Sequence, residues 1–279
     1  MSLISVILAL VFDRLLRHWH DLRDLSWFEQ YAASLDRLIR IPNGVVRYAL
    51  VMLAPVLAFA LLQGLLADVL FNIPYMLFGI VVLLYCLGPD CLISDVEAYI
   101  DARRLGDDEE ALHLAGAITE QAASTSPDQQ SSDVIRAILY VANQRVFAVL
   151  FWFVLLGPIG AVIFRLTFNL SKQPAGMLSG FADTVQAVLA WLPSRMLAAS
   201  YALVGNFDGA VLAYKNRPYE SDLAISNYDT LVNMGLGALR NAPVADEIEG
   251  IQAARNLVVR AVLCWTGVLA LLTLGGWMG

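Results

Sequence analysis

Five apolar stretches, each close to the length an α-helix needs to cross a hydrocarbon core, constrain this chain more than any other feature. They cover residues 48–66, 73–87, 146–166, 184–204 and 257–277. A bilayer core takes roughly 20 apolar residues in helical form, because backbone polar groups in lipid must be satisfied within the segment itself. Composition agrees: 58% of the 279 residues are hydrophobic and 15% charged, with a mean hydropathy of +0.63. Soluble domains run at roughly 45–50% and about 25%. The pattern predicts an all-α, polytopic membrane helix bundle of about five spans with the lipid bilayer as its solvent, and it removes a soluble enzyme as the starting point.

Between the first two stretches Asp68, Asn72 and Pro74 leave room for only a tight turn, so these helices should form an antiparallel hairpin. Residues 2–12 are apolar too, but they stop at Asp13-Arg14 and reach only about 16 Å at ~1.5 Å per residue. A short span, a re-entrant piece and a half-inserted anchor all fit them. The segment has no small-residue cleavage site and is expected to stay in the mature protein.

Orientation follows from the basic residues. If the spans alternate, one face of the membrane receives segments 13–47, 89–145 and 205–256. These, with Arg260, hold fifteen of the eighteen Lys and Arg. Positive segments stay in the cytoplasm, which puts the polar bulk inside and the turns at 67–73 and 171–183 outside. The chain is then a multi-pass protein of the bacterial inner membrane, one integral domain over 1–279 with three cytoplasmic helical segments forming a cap. Segment 89–145 carries eleven acids against four Arg. Its ends have helical apolar spacing, and Ser132 or Asp133 is a plausible N-cap for a helix running into the third span. Segment 205–256 reads as polar over 215–222, helical over 226–239 and broken at Asn241-Ala242-Pro243.

Several chemistries are disfavoured. A net charge of −7 and a pI near 4.9 do not suit nucleic acid, which asks for a clustered positive surface. Cys86, Cys91 and Cys264 have no zinc or redox spacing, and Cys86 and Cys264 read as apolar fillers of spans. His18 and His20 are two apart and do not share a helix face, so no metal site is expected. The only lysines, Lys172 and Lys215, follow no P-loop glycines, and no dinucleotide fingerprint is present. No cofactor is expected.

The polar residues that a bilayer makes expensive are therefore the candidates for function. Arg195 falls near the centre of the fourth stretch, where a charge costs about 3 kcal/mol on insertion scales. Pro193 frees a backbone carbonyl nearby and can kink the helix. Arg195 could bond to backbone or hold an anion. Arg165 lies near the outer end of the third stretch, within snorkelling reach of the interface, and Asn169 and Asp183 flank the same outer loop. An Asp183–Arg165 pair and a ligand site are both compatible with that spacing. Asn143 and Arg145 enter the third stretch at the cytoplasmic mouth, where an amide and a guanidinium could meet an anionic headgroup or phosphate. An interfacial anchor with an aromatic belt is the plainer alternative. Asp13 crowds the same mouth. Gly157-Pro158-Ile159-Gly160 should break or thin the helix.

Taken together, Val11-Phe12-Asp13-Arg14-Leu15, Asn143-Gln144-Arg145-Val146-Phe147, Leu150-Phe151-Trp152, Gly157-Pro158 with Arg165, and Trp191-Leu192-Pro193-Ser194-Arg195 resemble the AmpE family. The likeness runs over nearly the whole chain. It implies an inner-membrane sensory or signalling modulator linked to the AmpD cell-wall amidase, peptidoglycan recycling, β-lactamase induction and the antibiotic response. A more distant similarity is to the CobD/CbiB family of cobalamin biosynthesis, which makes an amide on a corrinoid acid. Asp13, Asn143, Asn169, Asp183 and the Leu192–Arg195 stretch match positions of that family. Where its Glu-Asn-Thr-x-Asp-Gly motif has carboxylates, this chain has Ala142 and Val146, which removes the expected Mg²⁺ ligands and speaks against amide synthesis.

The reading that emerges is a signalling modulator with a pocket for an anionic cell-wall or lipid-linked ligand at the cytoplasmic side of the bundle. Its candidate ligand-binding residues are Asp13, Asn143, Arg145, Arg165, Asn169, Asp183 and Arg195. A membrane enzyme related to CobD/CbiB with an altered substrate, and a small-molecule transporter, are the alternatives.

Overall fold

The computed structural model of the chain describes residues 25–38, 43–66, 73–87, 92–120, 124, 126–174, 176–217, 220–240 and 246–274. All regular structure among them is helical. The helices are α1 (Ser26–Leu38), α2 (Gly44–Leu66), α3 (Ile73–Leu87), α4 (Leu92–Leu105), α5 (Asp108–Thr119), α6 (Pro127–Ala142), a π-helical turn (Asn143–Phe147), α7 (Ala148–Leu156), α8 (Pro158–Ser171), α9 (Met177–Val204), α10 (Phe207–Lys215), α11 (Leu223–Ala238) and α12 (Glu247–Leu274). Among the described residues, four segments are long and apolar enough to cross a membrane: Gly44–Leu66, Pro74–Leu105, Pro127–Leu156 and Met177–Val204. The fifth expected stretch falls in α12 and on residues beyond 274, which lie outside the described set. So do Asp13 and the whole of segment 2–12.

The chain divides into two compact units. The first contains α1, α2, α3, α7 and α8. In α2, Leu53, Leu57 and Leu61 recur every four residues and are all exposed, as are Leu77 and Val81 of α3. Water would penalise such apolar stripes, and lipid does not. At the centre of the unit is α8, which packs against α1, α2, α3 and α7 and buries ten of its 14 residues.

The third apolar stretch is thus not one straight helix. Gly157 adopts φ +72°, a left-handed conformation that a side chain resists, and Pro158 then starts a new helix whose first turn lacks the N–H it would not have used. The expected break at Gly157–Pro158 is present. Helix α6 begins earlier than Ser132 or Asp133: Ser126 is the N-cap, with Pro127 in the first helical position.

The second unit contains α4, α5, α6, the π turn, α10, α11, residues of α9 from Trp191 onward and most of α12. Its core gathers Tyr99, Ile118, Ile138, Leu139, Leu197, Tyr201, Leu231 and Ile251. Helices α10 and α11 lie backbone to backbone. A Cβ on Gly209 would meet the Gly237 carbonyl oxygen at 2.4 Å, and one on Gly237 would meet the Gly209 oxygen at 2.5 Å. Only glycine permits that approach. Asn206 caps α10 through the Gly209 N–H, and Asp222 caps α11 through Ala224 and Ile225. Helix α10 is an addition to the sequence reading, which assigns no element to residues 205–214. Cys86 is buried and Cys264 partly so, both as free thiols.

Candidate functional site

Arg195 is held by neutral groups. From α9 its Nη1 donates to the Trp191 carbonyl at 3.2 Å and the Ser194 hydroxyl at 2.9 Å, and also to Asn227 Oδ1. Nη2 donates to the Ser226 hydroxyl at 3.0 Å. The guanidinium lies over the Trp191 ring, 4.9 Å from its centroid. Ser226, Asn227 and Thr230 fall at i, i+1 and i+4 on α11, so one face of the helix presents three polar side chains.

Arg217 follows α10 and completes the cluster. Its Nη1 donates to Thr230 Oγ1 and its Nη2 to the Tyr214 hydroxyl at 3.2 Å, while its guanidinium stacks 4.1 Å from the Tyr214 centroid. The charge of Arg217 reaches Arg195. Among the described residues neither guanidinium forms an ion pair with a carboxylate. Asp222, four residues before Ser226, turns its carboxylate to the α11 N-terminus instead, and Asp229, three residues after it, forms no ion pair among the described residues. Two like charges held by hydroxyls, an amide and aromatic faces, with no ion-paired acid among the described residues, form a site suited to an anion.

Arg145 is different. It sits in the π turn with its side chain 10% exposed, and donates to Asp95 Oδ2 at 3.3 Å, Glu120 Oε1 at 3.2 Å and the Ala117 carbonyl at 3.3 Å. Its counter-anions are therefore the protein's own, supplied by α4 and the end of α5. Asn143, at the start of the same turn, is 0% exposed, and neither of its amide atoms has a hydrogen-bond partner among the described residues. Arg145 and Arg195 share no partner, so the structure shows two polar centres within the second unit.

The remaining candidates belong to the first unit. Arg165 is buried in α8, 5.5 Å from the Phe168 ring centroid, and Lys172 approaches the same ring at 5.2 Å. Asn169 is half-buried on the same helix. Asp183 is exposed on α9, and the cation whose field reaches it is Lys172. No Asp183–Arg165 ion pair forms among the described residues. Asp13 lies outside them.

The sequence reading finds Arg195 and misses Arg217, Tyr214, Ser194, Ser226, Asn227 and Thr230. The available signal was the polar triplet at helical spacing on α11. Arg217 has none, since it meets Thr230 only through the close α10–α11 contact.

A family model described as regulatory signalling modulator protein AmpE matches residues 1–278. Protein AmpE of Shigella flexneri is 27% identical over 295 aligned positions, covering 99% of each chain. Cobalamin biosynthesis protein CobD of Stutzerimonas stutzeri strain A1501 is 26% identical over 162 residues, 51% of this chain and 54% of that protein. The CobD of Chromobacterium violaceum is 36% identical over 78 residues, about a quarter of each chain. No solved structure matches.

Proposed function

The chain belongs to the AmpE family of regulatory signalling modulators, and on that premise we propose that it is a signalling protein of the bacterial inner membrane that senses an anionic cell-wall or lipid-linked ligand through Arg195 and Arg217. Its pathway is peptidoglycan recycling and β-lactamase induction, with a functional link to the AmpD amidase. The observation that carries the ligand reading is the guanidinium pair without an ion-paired carboxylate among the described residues. A scaffold arginine in an apolar helix is normally neutralised by an acid, as Arg145 is by Asp95 and Glu120. Arg195 and Arg217 instead keep their charge for something that arrives from outside.

A signalling role asks that ligand occupancy change the protein's state, and the cluster is placed for that. It joins α9, the end of α10 and the first turns of α11, so an anion bridging both arginines would tie three elements together. The test is a β-lactamase reporter in cells whose chromosomal copy carries Arg195→Gln and Arg217→Gln, with membrane abundance measured in parallel. The reading expects an altered response to β-lactam at unchanged abundance. A wild-type response from a normally abundant double variant contradicts it.

A further inference from the structure

We infer that the anion engaged by Arg195 and Arg217 is the phosphate of a membrane lipid, presented from the bilayer along the exposed face of α9. This rests on the anion-site reading above and narrows it to one source. Leu192, Arg195, Ala199 and Leu203 fall at i, i+3, i+7 and i+11 and share a helix face. Leu192 is 43% and Leu203 69% exposed, and Ala199 is exposed as well. On the opposite side Leu197, Ala198 and Tyr201 are buried. In a helix long and apolar enough to span a membrane, an exposed apolar face is the one that meets lipid.

Arg195 thus stands on the lipid-facing side, with its guanidinium held where that face meets α11. Around it Trp191, Tyr214, Leu223 and Ile225 are large, apolar or amphipathic, and exposed. Trp and Tyr are the side chains favoured at headgroup depth. A ligand that fills this surface needs an acyl part against Leu192 and Trp191, on the membrane side of Arg195, and a compact anion against two guanidinium forks. A lipid phosphate has both, and it already resides at that depth. A soluble anion would leave the apolar rim uncovered.

The full-length protein in nanodiscs of phosphatidylcholine containing phosphatidylglycerol tests this. Native mass spectrometry counts the lipids retained on release, for wild type and for Arg195→Gln/Arg217→Gln. Wild type should retain phosphatidylglycerol over phosphatidylcholine by about tenfold, and the double variant should lose that preference. Equal retention by both proteins overturns the inference. Binding of free glycerol phosphate as tight as that of phosphatidylglycerol overturns the lipid source and leaves the anion site intact, whereas no binding of either to wild type removes both readings. If the double variant does not fold, the wild type still decides. Quenching by brominated acyl chains, assigned to Trp191 from the difference between wild type and Trp191→Phe, should be stronger for phosphatidylglycerol than for phosphatidylcholine. Equal quenching overturns the inference.

Discussion

The indole N–H of Trp152 reaches the backbone carbonyl of Leu189 at 3.1 Å, the carbonyl that Pro193, four residues on in α9, leaves without a helical donor. The helix consequently runs on through its proline, because a neighbouring side chain makes the bond that Pro193 cannot. Trp152→Phe should lower stability in detergent by about 1–3 kcal/mol, the range for leaving a buried acceptor unmade. In a Pro193→Ala background the restored main-chain N–H takes the carbonyl, so the same substitution should cost less. Thermal melting of the four proteins of this cycle measures the coupling, and equal costs in both backgrounds would contradict the assignment.

Arg145 should behave as a scaffold residue. Removing it takes away a guanidinium that bonds two partly exposed carboxylates, Asp95 at 3.3 Å and Glu120 at 3.2 Å, at about 1.5–3 kcal/mol for hydrogen bonds to charged groups. Arg145→Gln should therefore lower melting temperature and membrane abundance more than Arg195→Gln, whose partners are all neutral. The order of the two melting temperatures checks this, and the reverse order refutes it.

Much of this architecture is legible in the sequence because lipid leaves so few options. Twenty apolar residues without a charge have to be helix, and Gly157-Pro158 has to interrupt one. What stays hidden depends on tertiary neighbours. Arg145 reads as a group awaiting an anionic headgroup, yet its anions come from Asp95 and Glu120, far away in the chain. Segment 89–145 reads as an acidic run that water could simply solvate, whereas Glu97 pairs with Arg255 at 2.5 Å and Arg103 reaches both Asp108 and Glu247. Arg217 looks like an ordinary loop cation until Gly209 and Gly237 bring α10 against α11 and deliver it to Thr230.

Glu247 gives the fold an acid-sensitive joint. Its carboxyl is held below the ordinary range by Asp128, which donates to it only while itself protonated and is raised by the same contact, by the Ser131 hydroxyl at 2.7 Å and by the Arg103 guanidinium at 3.3 Å; only the last two act at neutral pH. A carboxyl lowered in the folded state contributes its full stabilisation above that ordinary range and loses it as pH falls through the lowered value. Glu247→Gln should hence destabilise the protein at neutral pH, with the gap to wild type closing in acid below about pH 4. Melting curves across that range test it; a gap independent of pH would count against the joint.

The distribution of Lys and Arg predicts which ends of the helices face the cytoplasm. In a background lacking Cys86, Cys91 and Cys264, Lys172→Cys should react with an impermeant maleimide on intact spheroplasts, and Ser126→Cys only after permeabilisation. Both positions are exposed in the fold. The opposite labelling pattern would invert the topology and the side from which a signal is read.

The central claim, that Arg195 and Arg217 form a site for an anion, is tested most directly by the melting temperature of detergent-solubilised protein titrated with phosphatidylglycerol. A ligand that binds only the folded state raises stability by about 2.7 kcal/mol at a hundredfold excess over its Kd. Wild type should show a saturable rise that Arg195→Gln/Arg217→Gln lacks while keeping its starting melting temperature within a few degrees. An equal rise in both proteins, or no rise in wild type with either phosphatidylglycerol or glycerol phosphate, would contradict the account.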